Sequence, residues 1–262
     1  MTLALDKSNF PRVNLLGVGV NAIDMPRAVN LVTSAVSQGR KGYVCVTGVH
    51  GIMEAQKDAA FRTILNRSML TTPDGMPTVW VGQLNGHSHM RRVYGPDFML
   101  KVCSVSVQRG YTHFLYGGVE GVADQLKDEL TRKFPGLKVV GTHTPPYRPL
   151  NSSESADLQF QISKLRPDFF WVGLSTPKQE RFMAEYLPKL ETKVMVGVGA
   201  AFDIHTGRAQ DSPDWVKNAG LQWLHRLLQE PTRLWKRYLI NNPVFMYKMT
   251  SQLLGLTKYE SL

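Results

Sequence analysis

The sequence predicts a Rossmann-like α/β fold: a mainly parallel sheet with helices on both faces, followed by a helical C-terminal appendage. Three observations predict it. Short apolar runs alternate with helical patterns through most of the first 200 residues, and a βαβα order makes a parallel sheet covered by helices. Glycine and small polar residues cluster where several of those runs end, as at Gly117-Gly118 and after Gly173, and ligands of such sheets bind at the carboxyl ends of strands. From about Phe202 onward strand signals vanish and only helical stretches remain. The chain therefore divides into an α/β core over residues 1–205 and a basic, Trp-rich helical appendage over residues 206–262.

The elements read in order as follows. Residues 13–18 form a strand and 24–36 a helix with Pro26 near its start. A strand over 43–47 leads into one helical stretch over 52–65, and 69–72 is a short strand. A helix over 96–108 precedes a strand over 112–116. The amphipathic stretch 120–133 is a helix ended by Pro135-Gly136. Then come a strand at 137–140, a helix at 152–165, a strand at 168–173, a helix at 177–187 and a strand at 193–198. The appendage shows helical stretches at 213–228 and 231–240, a break at Pro243 and a short helical tail at 244–254.

Composition narrows the class. Of 262 residues, 43% are hydrophobic and 20% charged, enough apolar residues for a sizeable core in a soluble protein. The two cysteines, Cys45 and Cys103, lack any CxxC or His/Cys metal-ligand spacing and suit buried thiols in a reducing compartment. The N-terminal residues lack a secretory h-region, and no apolar run approaches the ~18 residues that span a membrane. The net charge is +10, and half of it falls between Trp215 and Leu262, with seven basic against two acidic residues. Trp215, Trp223 and Trp235 lie in the same segment. Basic residues interleaved with Trp and Leu suit an anionic membrane surface or nucleic acid.

The segment Trp171-Val-Gly-Leu-Ser-Thr-Pro-Lys-Gln-Glu180 is the most informative. A buried strand runs into a helix start, with Ser175 or Thr176 as cap and Pro177 in the first turn. Lys178 and Gln179 then stand where bare N–H groups and the helix dipole favour an anion such as a phosphate. Gly117 and Gly118 permit close backbone approach to a ligand. Asp203 follows a small-residue turn and can accept from a sugar or ribose hydroxyl. Asp74 reads either as a turn aspartate before Gly75 or as a loop carboxylate acting as general base. Arg92 reads as a solvated arginine or a diphosphate clamp.

Two other chemistries are weak. Gly17-Val-Gly-Val-Asn-Ala22 fits the GxGxxG/A pattern formally, but no acidic residue ends the second strand to hold a ribose. A dinucleotide-binding oxidoreductase is thus an alternative without its key residue. Ser175 has no GxSxG context for a hydrolase triad. A non-catalytic nucleic-acid-binding protein would explain the basic tail but not the glycine turns at strand ends.

Taken together, Thr72-Pro-Asp-Gly-Met-Pro77, Arg92-Val-Tyr-Gly-Pro-Asp97, Phe114-Leu-Tyr-Gly-Gly118, residues 167–180, Val196-Gly-Val-Gly-Ala-Ala-Phe-Asp203 and Gly220-Leu-Gln-Trp-Leu-His-Arg-Leu-Leu-Gln-Glu-Pro231 resemble one family. It is the WecG/TagA/CpsF bacterial glycosyltransferases, glycosyltransferase family 26. The resemblance implies inverting, metal-independent transfer from a UDP-sugar to a polyprenyl-diphosphate-linked sugar in surface polysaccharide synthesis. No cofactor or metal is implied, and no DxD-like pair is evident. The enzyme would work in the cytoplasm, peripherally on the inner face of the plasma membrane, either alone or as a homo-oligomer, without nucleic acid. By the same resemblance Asp74 is the general base, and Thr47, Arg92 and Gln179 complete the catalytic set. Gly117, Gly118, Lys178 and Asp203 serve the donor. Arg226, Arg233, Lys236 and Arg237 serve the acceptor diphosphate and membrane. The sequence departs from the family pattern at Thr47-Gly-Val-His50, where Asn is common soon after Thr, at Thr232-Arg233, at Lys236 and across residues 207–213.

Overall fold

The computed structural model describes residues 10–260. Its strands are β1 (Arg12–Leu15), β2 (Val18–Asn21), β3 (Gly42–Thr47), β4 (Leu70–Pro73), β5 (Thr112–Gly117), β6 (Lys138–His143), β7 (Phe169–Gly173) and β8 (Val194–Gly197). The main sheet has six strands in the order β4-β3-β8-β7-β5-β6. The β3–β8, β8–β7, β7–β5 and β5–β6 pairs are all parallel, as the alternation predicts. Two compact units divide the chain. One holds residues up to Met25, Val46–Tyr94 and Asp211–Leu262; the other holds Pro26–Cys45 and Gly95–Gln210.

The second unit carries most of the parallel sheet. Its helices include α1 (Met25–Ser37), α5 (Gly95–Arg109), α6 (Val122–Lys133), α7 (Ser152–Leu165), α8 (Lys178–Tyr186) and α9 (Ala201–His205). Asn151 opens α7 with a reciprocal cap: its side chain accepts from the Glu154 N–H while the Glu154 carboxylate accepts from the Asn151 N–H. Phe114, Tyr116, Phe169, Phe170 and Trp171 on β5 and β7 are fully buried. Such aromatic packing supplies much of a core's burial energy.

His113 lies inside that core, its ring stacked on Phe169 and Trp171 at 5.3 and 6.1 Å. Its Nδ1 accepts from Trp171 Nε1 at 2.9 Å, which requires a neutral ring. Burial lowers the His113 pKa to about 3, against a smaller opposing effect from Asp168. The folded state thus binds fewer protons than the unfolded chain below the ordinary histidine pKa. Its stabilising contribution is complete above about pH 6.5 and is lost as pH falls from there towards about 3. Unfolding free energy is expected to drop by up to ~1.4 kcal/mol per pH unit over that window from this group. Denaturant titrations of the wild type and His113→Gln should show a shallower slope in the variant.

The first unit differs from the sequence expectation in several places. Residues 13–18 are not one strand: β1 and β2 form an antiparallel hairpin turned at Leu16 and Gly17, both with positive φ. Gly17 N–H donates to Asn14 Oδ1 at 2.7 Å, fixing the turn. This hairpin removes the strand-turn-helix context that a dinucleotide fingerprint requires. The stretch 52–65 is two helices, α2 (Val49–Lys57) and α3 (Ala59–Arg67), because Asp58 interrupts the chain and caps α3 through the Phe61 N–H. A further helix, α4 (Met76–Leu84), follows β4 directly.

The appendage contains α10 (Asp214–Asn218), α11 (Gln222–Gln229), α12 (Pro231–Trp235), a π-helical turn at Lys236–Ile240 and α13 (Asn241–Leu253). Gly220, at φ +73°, splits the expected helix over 213–228. Pro243 does not break the chain. It is the third residue of α13, which follows the π-helical turn without a break. Phe245 and Met249 are buried. Gln252 donates to the Asn14 carbonyl and accepts from Leu16 N–H, and Asn14 Nδ2 donates to the Tyr259 carbonyl at 2.6 Å. Gln252 and Tyr259 are therefore bonded to the hairpin. Among the described residues, no helix is long and apolar enough to cross a membrane.

Candidate active site

In the first unit, Thr47 ends β3 and Asp74 directly follows β4. Asp74 N–H donates to the Thr47 carbonyl at 3.1 Å, which ties the two strand ends together. Gly48 follows, and a Cβ placed there would stand 4.0 Å from Asp74 Oδ2, so the backbone at this point lies beside the carboxylate. Gly75 and α4 come next, placing Asp74 just before a helix N-terminus. Val93 N–H donates to the Pro73 carbonyl at 2.8 Å and so brings Arg92 alongside.

Arg92 is the organising cation. Its Nε donates to the Asp74 main-chain carbonyl, and its Nη2 stands 3.8 Å from Asp74 Oδ1. The guanidinium lies 4.3 Å over the Tyr94 ring. The Oγ1 atoms of Thr47 and Thr72 are buried and have no hydrogen-bond partner among the described residues. A buried hydroxyl left unpaired costs about 1–3 kcal/mol, which makes both candidates for bonding a substrate group. The sequence indicated Thr47, Asp74 and Arg92. It did not indicate Thr72, whose hydroxyl is distinguished only by its burial.

Beside this cluster the sequence reading also missed Tyr94, Asp211 and Lys217. Tyr94 OH donates to Asp211 Oδ1 at 2.8 Å, and Lys217 Nζ pairs with Asp211 Oδ2 at 2.7 Å. Burial, then the Asp211 bond, raises the Tyr94 pKa, so the phenol stays a donor. Burial acts to raise the Asp211 pKa, but Lys217 and Tyr94 outweigh it and the net shift is downward.

In the second unit the strand ends are shaped by close backbone approach. A Cβ at Gly117 (φ +132°) would come within 2.6 Å of the Gly173 carbonyl oxygen, and one at Gly118 (φ +75°) within 2.8 Å of Val122. Gly117 is thus demanded by the junction of β5 and β7, and Gly118 by its positive φ and the close approach of Val122. Ser175 and Thr176 do not cap α8. Pro177 occupies the capping position after a cis peptide, and the Thr176 hydroxyl donates to Glu180 Oε1 at 2.7 Å. Gln179 is buried; its Oε1 accepts from Gly199 N–H at 3.0 Å and its Nε2 donates to Glu180 Oε1. Gln179 thereby anchors the turn after β8. Lys178 is exposed, its ammonium 3.9 Å over the ring of Tyr147, which is itself 96% exposed. Asp203 lies in the first turn of α9, half exposed, with Arg208 Nε at 3.7 Å.

The appendage cations differ from one another. Arg226 is half-buried on α11. Arg233 is exposed and forms a bidentate pair with Glu230 at 2.6 Å through each nitrogen. Lys236 stands 5.5 Å over the Trp235 ring. The side chain of Arg237 lies outside the described residues.

The sequence model of the glycosyl transferase WecG/TagA/CpsF family matches residues 13–259. The chain belongs to this family. It is accordingly a glycosyltransferase, as the motifs implied. Among its relatives is an N-acetylglucosaminyldiphosphoundecaprenol N-acetyl-β-D-mannosaminyltransferase of Bacillus subtilis (strain 168), 28% identical over 185 residues, covering 71% of this chain and 70% of the relative. The enzyme of the same name from Staphylococcus aureus (strain MRSA252) is 27% identical over 251 residues, covering 93% of this chain and 94% of the relative. Family membership spans both the Asp74–Arg92 cluster and the appendage.

Proposed function

We propose that this glycosyltransferase transfers a sugar from a UDP-sugar to a polyprenyl-diphosphate-linked sugar, with inversion and without a metal, in surface polysaccharide synthesis. The relatives' names support N-acetylmannosamine as the sugar and N-acetylglucosaminyl-diphosphoundecaprenol as the acceptor. The observation that carries the mechanism is the Asp74 carboxylate at a strand end with the Arg92 cation 3.8 Å away.

Inversion is a single displacement. The acceptor hydroxyl attacks the anomeric carbon on the face opposite UDP, the bond from that carbon to the diphosphate oxygen breaks, and the hydroxyl proton passes to Asp74. That transfer requires the hydroxyl within about 3 Å of the carboxylate. Negative charge grows on the departing diphosphate, and cations and N–H donors aimed at it lower the barrier. Arg92 and the appendage cations are assigned this role, and the Thr47 hydroxyl an orienting bond to donor or acceptor. The enzyme meets its lipid-linked acceptor at the membrane through exposed apolar side chains of the appendage, among them Leu228, Trp235, Leu239 and Tyr247.

Turnover in EDTA tests this directly. The reaction pairs a panel of UDP-sugars, UDP-N-acetylmannosamine first, with a lipid-linked N-acetylglucosaminyl diphosphate. Activity is expected to survive chelation largely intact. Loss in EDTA with rescue by magnesium or manganese would contradict the metal-free mechanism.

A further inference from the structure

We infer that Gln222, the first residue of α11, is a positioning residue that holds the Arg92 guanidinium against Asp74, with Tyr94 as the platform beneath it. The inference rests on the glycosyl-transfer reading for its consequence in turnover, but not for its geometry. Arg92 Nη2 donates to Gln222 Oε1, while its Nε donates to the Asp74 carbonyl. Two bonds on one planar fork fix its direction, and the Tyr94 ring at 4.3 Å fixes its plane.

Each of these supports is itself fixed. The Tyr94 hydroxyl is tied to Asp211, Asp211 to Lys217, and Lys217 Nζ returns to within 5.2 Å of the Tyr94 ring. Gln222 is placed by the turn before it. Gly220 has φ +73°, and a Cβ there would stand 2.7 Å from the Trp80 ring and 3.3 Å from Met76 Cβ. Only glycine lets this turn sit so close to α4, the helix that begins just after Asp74. The Gln222 acceptor is thus placed by packing and is not held by the arginine alone. An arginine freed from it would regain rotamers in which its charge leaves the carboxylate.

The test compares Gln222→Met, which keeps length and removes the acceptor, with Gln222→Glu, which restores an acceptor oxygen. Losing one charge-assisted hydrogen bond corresponds to roughly a 10- to 100-fold effect. Gln222→Met is expected to lower kcat/KM by about that factor, and Gln222→Glu to stay within about threefold of wild type. In an Arg92→Ala background, Gln222→Met should add no more than about twofold, because the two residues act as one unit. Wild-type activity of Gln222→Met, or a loss additive with Arg92→Ala, would overturn the inference. A second readout is independent of catalysis. The Arg92 Nε–H resonance, assigned by its absence in Arg92→Lys, should be sharp in wild type and Gln222→Glu and broadened in Gln222→Met. An unchanged resonance in Gln222→Met would overturn the holding role. The broadening without turnover in any variant would uphold it and count against the proposed reaction instead.

Discussion

Replacing Asp74 by asparagine is expected to lower turnover by about 10²–10⁴-fold while UDP affinity stays near wild type. The amide is nearly isosteric with the carboxylate but cannot take up a proton. The surroundings should remain in place, since Arg92 Nε is held by the main-chain carbonyl of residue 74 and its Nη2 by Gln222, neither of which the substitution removes. The bond from Asp74 N–H to the Thr47 carbonyl is also main-chain. Steady-state turnover and UDP calorimetry on one preparation separate the two quantities. A rate near wild type would remove Asp74 from the proton transfer. A parallel collapse of UDP affinity would show that the carboxylate shapes the donor site instead.

The triple replacement Trp235→Ser, Leu239→Ser, Ile240→Ser is expected to reduce co-sedimentation with anionic liposomes by more than tenfold. These side chains are 45%, 56% and 50% exposed, so the fold does not depend on hiding them. Each large apolar side chain buried in a membrane interface contributes about 1.5–3 kcal/mol. Neutralising Arg233 alone should matter less, because its charge is already paired with Glu230 and each basic residue near an anionic surface contributes about 1 kcal/mol. Turnover on a short-chain, water-soluble acceptor should remain within about twofold of wild type in the triple variant. Unchanged liposome binding would show that this face is not the anchor. Point substitutions are the right tool here. Truncation after Ser212 would also remove Phe245 and Met249 from the core, the Gln252 and Tyr259 bonds to the hairpin, and Gln222.

The parallel sheet was legible because its strands are short, almost wholly apolar runs separated by amphipathic helices. Ser152–Leu165 matches the helix expected over 152–165, and the structure shows Asn151 and Glu154 capping it reciprocally. Other boundaries failed for local reasons. The Gly17 turn depends on the Asn14 side chain, which apolar periodicity does not register. Asp58 separates α2 from α3 by accepting from the Phe61 N–H, within a stretch that otherwise reads as one helix. α4 begins Met-Pro and is apolar around much of its circumference, so it offers little amphipathic signal. Within the candidate site, Asp74 and Arg92 each announce themselves in a short motif. Their supports do not, because Tyr94 meets Asp211 across 117 residues and Arg92 meets Gln222 across 130. No spacing rule reaches that far, and only the folded chain brings those groups together.

The stereochemistry of the product tests the central claim most directly. A single displacement assisted by one carboxylate must invert the anomeric centre. The reaction of an α-linked UDP-sugar with a lipid-linked acceptor in EDTA should therefore yield a β-linked product, read from the anomeric proton coupling, or the one-bond carbon–proton coupling for a manno sugar, by NMR. An α-linked product would contradict a base role for Asp74 and the displacement built on it.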